Sequence, residues 1–157
     1  MGRMYAVTFE NVAVTAAQDF FYVAPADDKA VVLHECRLSQ STELGDAAEE
    51  QLRIAIVRGH ATVGSGGSAF TPLPLIPTDT AAGATARIND TTIASAGTGV
   101  NLLVDTLNVR SGWLWLPTPE CRPMVTQGSG TTIVVRLLAA PADSVTMGGT
   151  LLFEELG

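Results

Sequence analysis

The residue types that most often pair a nucleophile with its base, or that ligate zinc, are rare in this sequence. Its 157 residues include two histidines and two cysteines: His34, His60, Cys36 and Cys121. His34 and Cys36 are two positions apart, so on a strand they would share one face. A catalytic pair also needs a third, orienting group, and zinc needs three or four ligands at recognised spacings. We therefore expect a core-facing Cys36 beside a hydrogen-bonded His34, an exposed His60 in a loop, and no catalytic residue or metal ligand.

Carboxylates and glycines occur in groups that could be mistaken for sites. The adjacent carboxylates are Asp27-Asp28, Glu49-Glu50 and Glu154-Glu155. Neighbours on a strand or turn point apart, whereas glycoside hydrolysis needs two carboxylates facing across a cleft. The glycine groups, at 64–67, 97–99 and 128–130, lack the preceding strand, following helix and lysine of a phosphate-binding loop. These patterns predict solvated charge and turns, and no cofactor.

Composition and charge bound the class of protein. A hydrophobic content of 46% and a charged content of 16% predict one folded domain over residues 1–157. The net charge of −7, with scattered basic residues, argues against a nucleic-acid partner. No apolar run approaches the roughly 20 residues of a membrane span, and the N-terminal residues do not resemble a secretory signal. We therefore expect a soluble protein made in a cytoplasm, with Cys36 and Cys121 as reduced, buried thiols.

Alternating apolar and polar residues dominate the chain and indicate half-buried antiparallel strands. Nine strands are predicted, at 5–9, 19–23, 30–39, 51–58, 100–109, 112–116, 124–126, 131–139 and 145–153. Residues 127–130, Gln-Gly-Ser-Gly, are typical of a hairpin turn between two of them. The one helical signal is a capping box from Asp46 to Glu49. The prediction is an all-β fold, a single-domain antiparallel β-sandwich of the jelly-roll type, with about nine or ten strands and at most one short helix.

The segment from Gly59 to Gly83 is the longest stretch without predicted strands. It contains three prolines, one carboxylate (Asp79), and no lysine or arginine. A connection this long is usually functional, and alternating prolines and aliphatic residues favour an extended ribbon. We expect its glycine-rich first half to be a flexible tip. The residues expected to dock on another subunit are Phe70, Pro72, Leu73, Pro74, Leu75, Ile76 and Pro77.

Trp113 and Trp115 share one face of a short predicted strand. Large apolar residues of this kind pack in a core or a subunit interface, so both tryptophans join the predicted contact residues. If both indoles were exposed instead, they could stack on sugar rings. A carbohydrate-binding module that uses this pair is therefore an alternative function.

The whole chain resembles small β-sandwich virion structural proteins of tailed phages and prophages, of the capsid decoration or cement type, and three stretches carry the resemblance. They are residues 5–9 (Tyr-Ala-Val-Thr-Phe), 45–53 (Gly-Asp-Ala-Ala-Glu-Glu-Gln-Leu-Arg) and 149–155 (Gly-Thr-Leu-Leu-Phe-Glu-Glu). The resemblance implies a location in the virion, a jelly-roll or related fold, and assembly as a homotrimer. It also implies loops or termini that clamp neighbouring subunits, contact with the major capsid or another virion protein, and no catalytic residues.

These observations favour a non-enzymatic structural protein that self-associates and stabilises a capsid or related phage assembly. The expected partners are further copies of the chain and another virion protein, with no nucleic acid and no membrane. The carbohydrate-binding module is the second hypothesis, and a hydrolase that depends on His34 is the third.

Overall fold

The computed structural model describes residues 2–41, 49–126 and 131–157. The described residues form twelve strands and one 3-10 turn at Pro119–Cys121. The strands are β1 (Arg3–Val14), β2 (Gln18–Ala24), β3 (Ala30–Gln40), β4 (Gln51–Thr62), β5 (Ser68–Phe70), β6 (Leu73–Pro74), β7 (Thr85–Asp90), β8 (Ser95–Asn108), β9 (Trp113–Trp115), β10 (Met124–Val125), β11 (Ile133–Leu137) and β12 (Val145–Leu156). All nine predicted strands are present, and β5, β6 and β7 are additional. The predicted helical turn at 46–49 falls, apart from Glu49, outside the described residues.

The strands form two antiparallel sheets, as the sequence predicts. The first sheet has the order β10-β3-β12-β1-β6, with β9 also paired to β3, and the second has the order β5-β7-β2-β11-β4-β8. Without β5, β6 and β7, and with β9 and β10 counted as one strand, eight remain. If these eight strands are numbered 1 to 8 along the chain, the first sheet has the order 6-3-8-1 and the second sheet has the order 2-7-4-5. This double Greek key is a jelly roll.

Large side chains from both sheets fill the space between them. Tyr5 stacks on Phe153 within the first sheet, with ring centroids 5.6 Å apart. Phe9 stacks on Phe20 of the second sheet at 5.8 Å and joins the two layers. Each fully buried side chain of this size contributes about 1.5–3 kcal/mol through the hydrophobic effect. The alternation of β1, with Tyr5 and Phe9 facing inward, follows from the strand period of two.

A β-bulge in β3 separates His34 from Cys36. In the register with β12, Cys36 lies opposite Leu151 and Leu33 lies opposite Phe153, with a shift between them. The extra residue reverses the alternation, so Leu33 and Cys36 both face the core. His34 points the other way, and its Nε2 lies 2.9 Å from Oε2 of Glu154. The expected shared face of His34 and Cys36 is therefore wrong.

The hairpin predicted around residues 127–130 is also wrong. β10 pairs with β3 in the first sheet, whereas β11 pairs with β2 and β4 in the second. The connection between them therefore crosses from one sheet to the other. Alternating patterns identified both strands, but strand pairing is a long-range property that two flanking patterns do not specify. The turn residues themselves lie outside the described part of the chain.

An insertion between β4 and β8, residues 63–94, contains the three additional strands. Buried polar groups hold it on the sandwich. Asp19 accepts a hydrogen bond from the Ala94 amide at 2.6 Å and two from Arg136, at 2.5 and 3.1 Å. Arg136 also donates to the Ala94 carbonyl at 2.8 Å. The outward face of the second sheet is thus covered near residue 94, where Ala94 packs with Ala55 and Val134.

A second anchor lies near the end of the insertion. Glu155 is buried, and its Oε1 accepts a hydrogen bond from the Ala84 amide at 2.7 Å. Its Oε2 lies 3.3 Å from Nζ of Lys29. The expectation that Glu154-Glu155 is solvated charge is wrong for Glu155, which is only 3% exposed. Glu154 pairs with His34 but keeps 24% of its side chain exposed.

We predict that Arg136→Met lowers the free energy of unfolding by about 3–5 kcal/mol, because it leaves the buried Asp19 carboxylate without its counter-ion. Urea denaturation followed by circular dichroism measures this change. The matched control is Arg53→Met on β4, an exposed arginine whose replacement should cost less than about 0.5 kcal/mol. Equal costs for the two variants would contradict the assigned role of the pair.

Candidate functional site

The segment predicted to be a free arm is built into both sheets. Gly59 to Thr62 belong to β4, and β5 pairs with β7 at the end of the second sheet. The chain then crosses to the first sheet, where β6 pairs with β1. The Leu75 amide donates to the Met4 carbonyl at 2.9 Å. The segment thereby joins the two sheets along one lateral edge of the sandwich.

The glycine-rich first half of this segment packs closely against its neighbours, so the prediction of a flexible tip is wrong. The Gly67 amide donates to Oδ1 of Asp90 at 3.1 Å. A Cβ atom placed on Gly67 would lie 2.0 Å from the Ile88 carbonyl oxygen, and one on Gly64 would lie 2.4 Å from that of Thr92. These glycines allow two backbones to approach where no side chain fits.

The seven predicted contact residues of the segment divide into an anchored and an exposed group. Phe70 packs partly against the core and Pro72 is buried, so both attach the segment to its own chain. Pro74 is half-buried in β6 and Pro77 is exposed. The exposed aliphatic side chains are Leu73 (52% exposed), Leu75 (50%) and Ile76 (57%). We call these three residues the arm patch.

Contacts within the chain hold the arm patch in place, with Leu73 extended in β6 and Leu75 and Ile76 in the bend that follows. Pairing of Leu73 with Ala6 and of Pro74 with Tyr5 fixes its beginning. The Tyr5 hydroxyl donates to the Thr80 carbonyl at 2.9 Å, beyond its end. Because the patch is already ordered in the folded chain, binding of a partner carries little further entropic cost of ordering it.

The tryptophan strand β9 does not present an exposed aromatic pair. Trp113 belongs to the core with 8% of its surface exposed, and Trp115 is half-buried beside it. Nε1 of Trp113 donates to Oδ2 of Asp105 at 2.9 Å. This bond, with a second one from the Thr106 amide, lowers the pKa of the Asp105 carboxyl. Trp113 therefore contacts its own chain and is not available as a subunit contact, and a sugar could stack on Trp115 alone.

An open groove lies at the lateral edge opposite the arm patch, between the ends of the two sheets. Its volume is about 600 Å³. The lining residues are Arg58, Leu102, Leu103, Trp115, Pro117, Thr118, Cys121, Arg122, Pro123 and Met124. We call this feature the edge groove. Its floor is mainly apolar, and the charged groups in its lining are two guanidinium groups.

One wall of the edge groove is β8, a strand of 14 residues that pairs with β4 alone in the described part of the chain. Its outer side therefore exposes backbone donors and acceptors. Edge strands are commonly protected by lysines, prolines or short length. β8 has one charged residue, Asp105, and no proline. Its protection comes from shifts in the register with β4, one of them between Leu103 and Asn101.

The cysteines differ in their surroundings, and neither is in a disulfide. Cys36 is buried, and burial, followed by the nearby Glu35 charge, raises the pKa of its thiol far above the ordinary value. Cys121 is exposed in the wall of the edge groove, so the expectation of two buried thiols is wrong for it. The described residues contain no group of three or more His, Cys, Asp and Glu side chains suited to a metal ion.

The sequence suggested that His60 lies exposed in a loop, but the structure gives it a role in the fold. It occupies β4, where its Nε2 lies 3.1 Å from Nη1 of Arg136. Its Nδ1 lies 3.2 Å from the Ala96 carbonyl oxygen. Because an arginine only donates, Nε2 must accept and Nδ1 must carry the proton. Sequence spacing could not reveal this contact, since 76 positions separate the two residues.

No family model, curated protein or solved structure matches this chain. Among the described residues, no helix is long and apolar enough to cross a membrane.

We predict that Trp113→Phe raises the pKa of Asp105 toward its ordinary value of 3.8, because the indole donor is lost. A carboxyl whose pKa is lowered by folding stabilises the fold above its ordinary pKa, and this contribution disappears as the pH falls through the folded-state value. Because Asp105 is exposed, solvent screens this contribution. The variant should therefore lose stability relative to the native chain at neutral pH, and the pH-dependent part of that loss should shrink at a pH below the folded-state value.

Denaturation of both proteins over a pH series, with the Asp105 carboxyl followed by NMR, tests this prediction. Leu114→Ala on the exposed side of the same strand is the control, and its effect should not depend on pH. A pH-independent loss for Trp113→Phe would show that only packing had changed.

Proposed function

We propose that this chain is a non-enzymatic structural virion protein that self-associates as a trimer and stabilises a capsid or related phage assembly. The observation that carries the proposal is the arm patch, three exposed aliphatic side chains on a segment that the fold already holds in place. Exposed apolar patches of this kind mark interaction sites. The partners in this proposal are other copies of the chain and the major capsid or another virion protein.

The charge of the chain supports a protein surface as partner over a nucleic acid. The net charge is −7, and the segment that bears the arm patch contains no lysine or arginine. A phosphate backbone requires clustered cations. An acidic sandwich with an apolar contact segment suits the outer surface of a shell, where it would bridge subunits without touching packaged DNA.

We predict that Leu75→Glu combined with Ile76→Glu converts the native oligomer to monomers, because two charges would have to be buried at the contact. Light scattering coupled to size exclusion measures the mass. These substitutions leave β6 and its pairing with β1 in place, whereas deletion of residues 71–77 would remove them. Val63→Glu replaces an exposed aliphatic residue outside the patch and should leave the mass unchanged. A native chain that is monomeric at all concentrations would refute self-association.

The virion location has its own test. We expect the gene to lie beside genes for a capsid protein, portal or terminase. We also expect the purified chain to co-sediment with shells of the phage or prophage that encodes it and to raise the temperature at which those shells dissociate. The Leu75→Glu, Ile76→Glu variant should do neither. Shells that gain no stability and bind no chain would contradict the assigned role.

A further inference from the structure

We propose that the arm patch of one copy docks in the edge groove of the next copy, so that copies associate head to tail in a closed ring. This inference rests on the self-association proposed above and names the surface that receives the arm. The occupant is a second copy of this chain.

The distribution of exposed apolar side chains is the first argument. Eleven large hydrophobic side chains are exposed in the described part of the chain. Three form the arm patch, and six lie along β8, β9 and the segment from β9 to β10. These six are Val100, Leu102, Val104, Leu114, Leu116 and Met124. Of these six, Leu102 and Met124 line the edge groove, and the other four lie outside its lining, on the elements that border it. The exposed apolar side chains are thus concentrated at two places, the arm patch and the edge that carries the groove.

The strand order places the two sites at opposite lateral edges. β6 ends the first sheet on one side, and β9 and β10 end it on the other. β8 lies at the same edge as β9, because Asp105 and Trp113 are hydrogen-bonded at 2.9 Å. A contact between two different surfaces is heterologous, and copies joined in this way form a ring when the rotation between them closes. A trimer is one such ring.

The chemistry of the two surfaces is complementary. The edge groove presents Arg58 and Arg122 and no carboxylate. Nε of Arg122 is buried and has no hydrogen-bond partner among the described residues. The arm brings the opposite set of groups, since prolines leave its backbone richer in acceptors than in donors and Asp79 is its one carboxylate. Asp79 is held only loosely by its own chain, 3.9 Å from Nε of Arg3.

The size of the groove also fits this occupant. A volume of about 600 Å³ lies within the range of pockets that enclose drug-sized ligands. It can therefore receive the side chains of Leu75 and Ile76, while an acceptor of the arm faces Arg122. Burial of a largely apolar contact at the centre, with a charged pair at its border, is the usual arrangement of a specific interface.

Disulfide trapping tests the contact directly. Cys121 supplies an exposed thiol in the groove and Cys36 is buried, so Leu75→Cys adds a single new reactive position. Under mild oxidation, the thiol introduced by L75C should join Cys121 of a neighbouring copy. Non-reducing electrophoresis and peptide mapping would show the linkage. The L75C, C121S double variant should give no such species, and V63C, at an exposed position outside the patch, should not link to Cys121.

A substitution in the groove gives an independent measurement. Met124→Glu places a charge on an exposed position of the groove wall, where it should not disturb the monomer. We expect the oligomer mass to fall about threefold, from trimer to monomer, the same change that we predict for the arm substitutions. The circular dichroism spectrum should stay unchanged, which separates loss of the contact from loss of the fold.

The results distinguish the failure of this inference from the failure of the proposed function. If charges in the arm patch dissociate the oligomer while M124E leaves it intact and L75C does not link to Cys121, the arm docks elsewhere and the inference is overturned. Linkage between two copies of the L75C position would indicate a twofold contact and would also overturn it. A native chain that never associates would refute both proposals.

Discussion

The ion pair between Asp19 and Arg136 fixes the end of the 63–94 insertion on the outward face of the second sheet, through hydrogen bonds to the backbone of Ala94. The bond has two parallel contacts, at 2.5 and 3.1 Å, and both groups also bind the backbone of Ala94. A buried charge pair of this kind is stable only when each remaining polar atom is satisfied. His60 and the Ala94 backbone provide those further bonds, so the network acts as one unit.

The two lateral edges of the jelly roll differ in which strands end them. The insertion extends both sheets at one edge, where β6 lies beside β1 and β5 lies beyond β7. At the other edge, the 14-residue β8 pairs with β4 alone among the described residues, and the edge groove opens beside it. A single copy therefore carries one edge with an exposed apolar segment and one with an open, mainly apolar groove. This asymmetry is what a head-to-tail assembly requires.

Alternating patterns located all nine predicted strands because burial of one face imposes a period of two on the sequence. The predictions of side-chain facing and of strand pairing were wrong where one extra residue or a distant partner strand decided them. The bulge at His34 reversed the alternation in β3, and the sheet crossing between β10 and β11 replaced a hairpin. The strands β5, β6 and β7 lacked a clear pattern because they are short edge or near-edge strands with small and proline residues.

The sequence alone determined the all-β class, the sandwich, and the apolar character of the residues from Phe70 to Pro77, because these follow from composition and local periodicity. The tertiary structure decided which of those residues are exposed. Pairing of β6 with β1 leaves Leu73 exposed and leads into a bend that exposes Leu75 and Ile76, while Phe70 and Pro72 face their own chain. It also buried Trp113 and assembled the edge groove from β8 and the segment around Cys121. Both results depend on contacts between residues far apart in the chain, and such contacts are fixed only when the two sheets pack together.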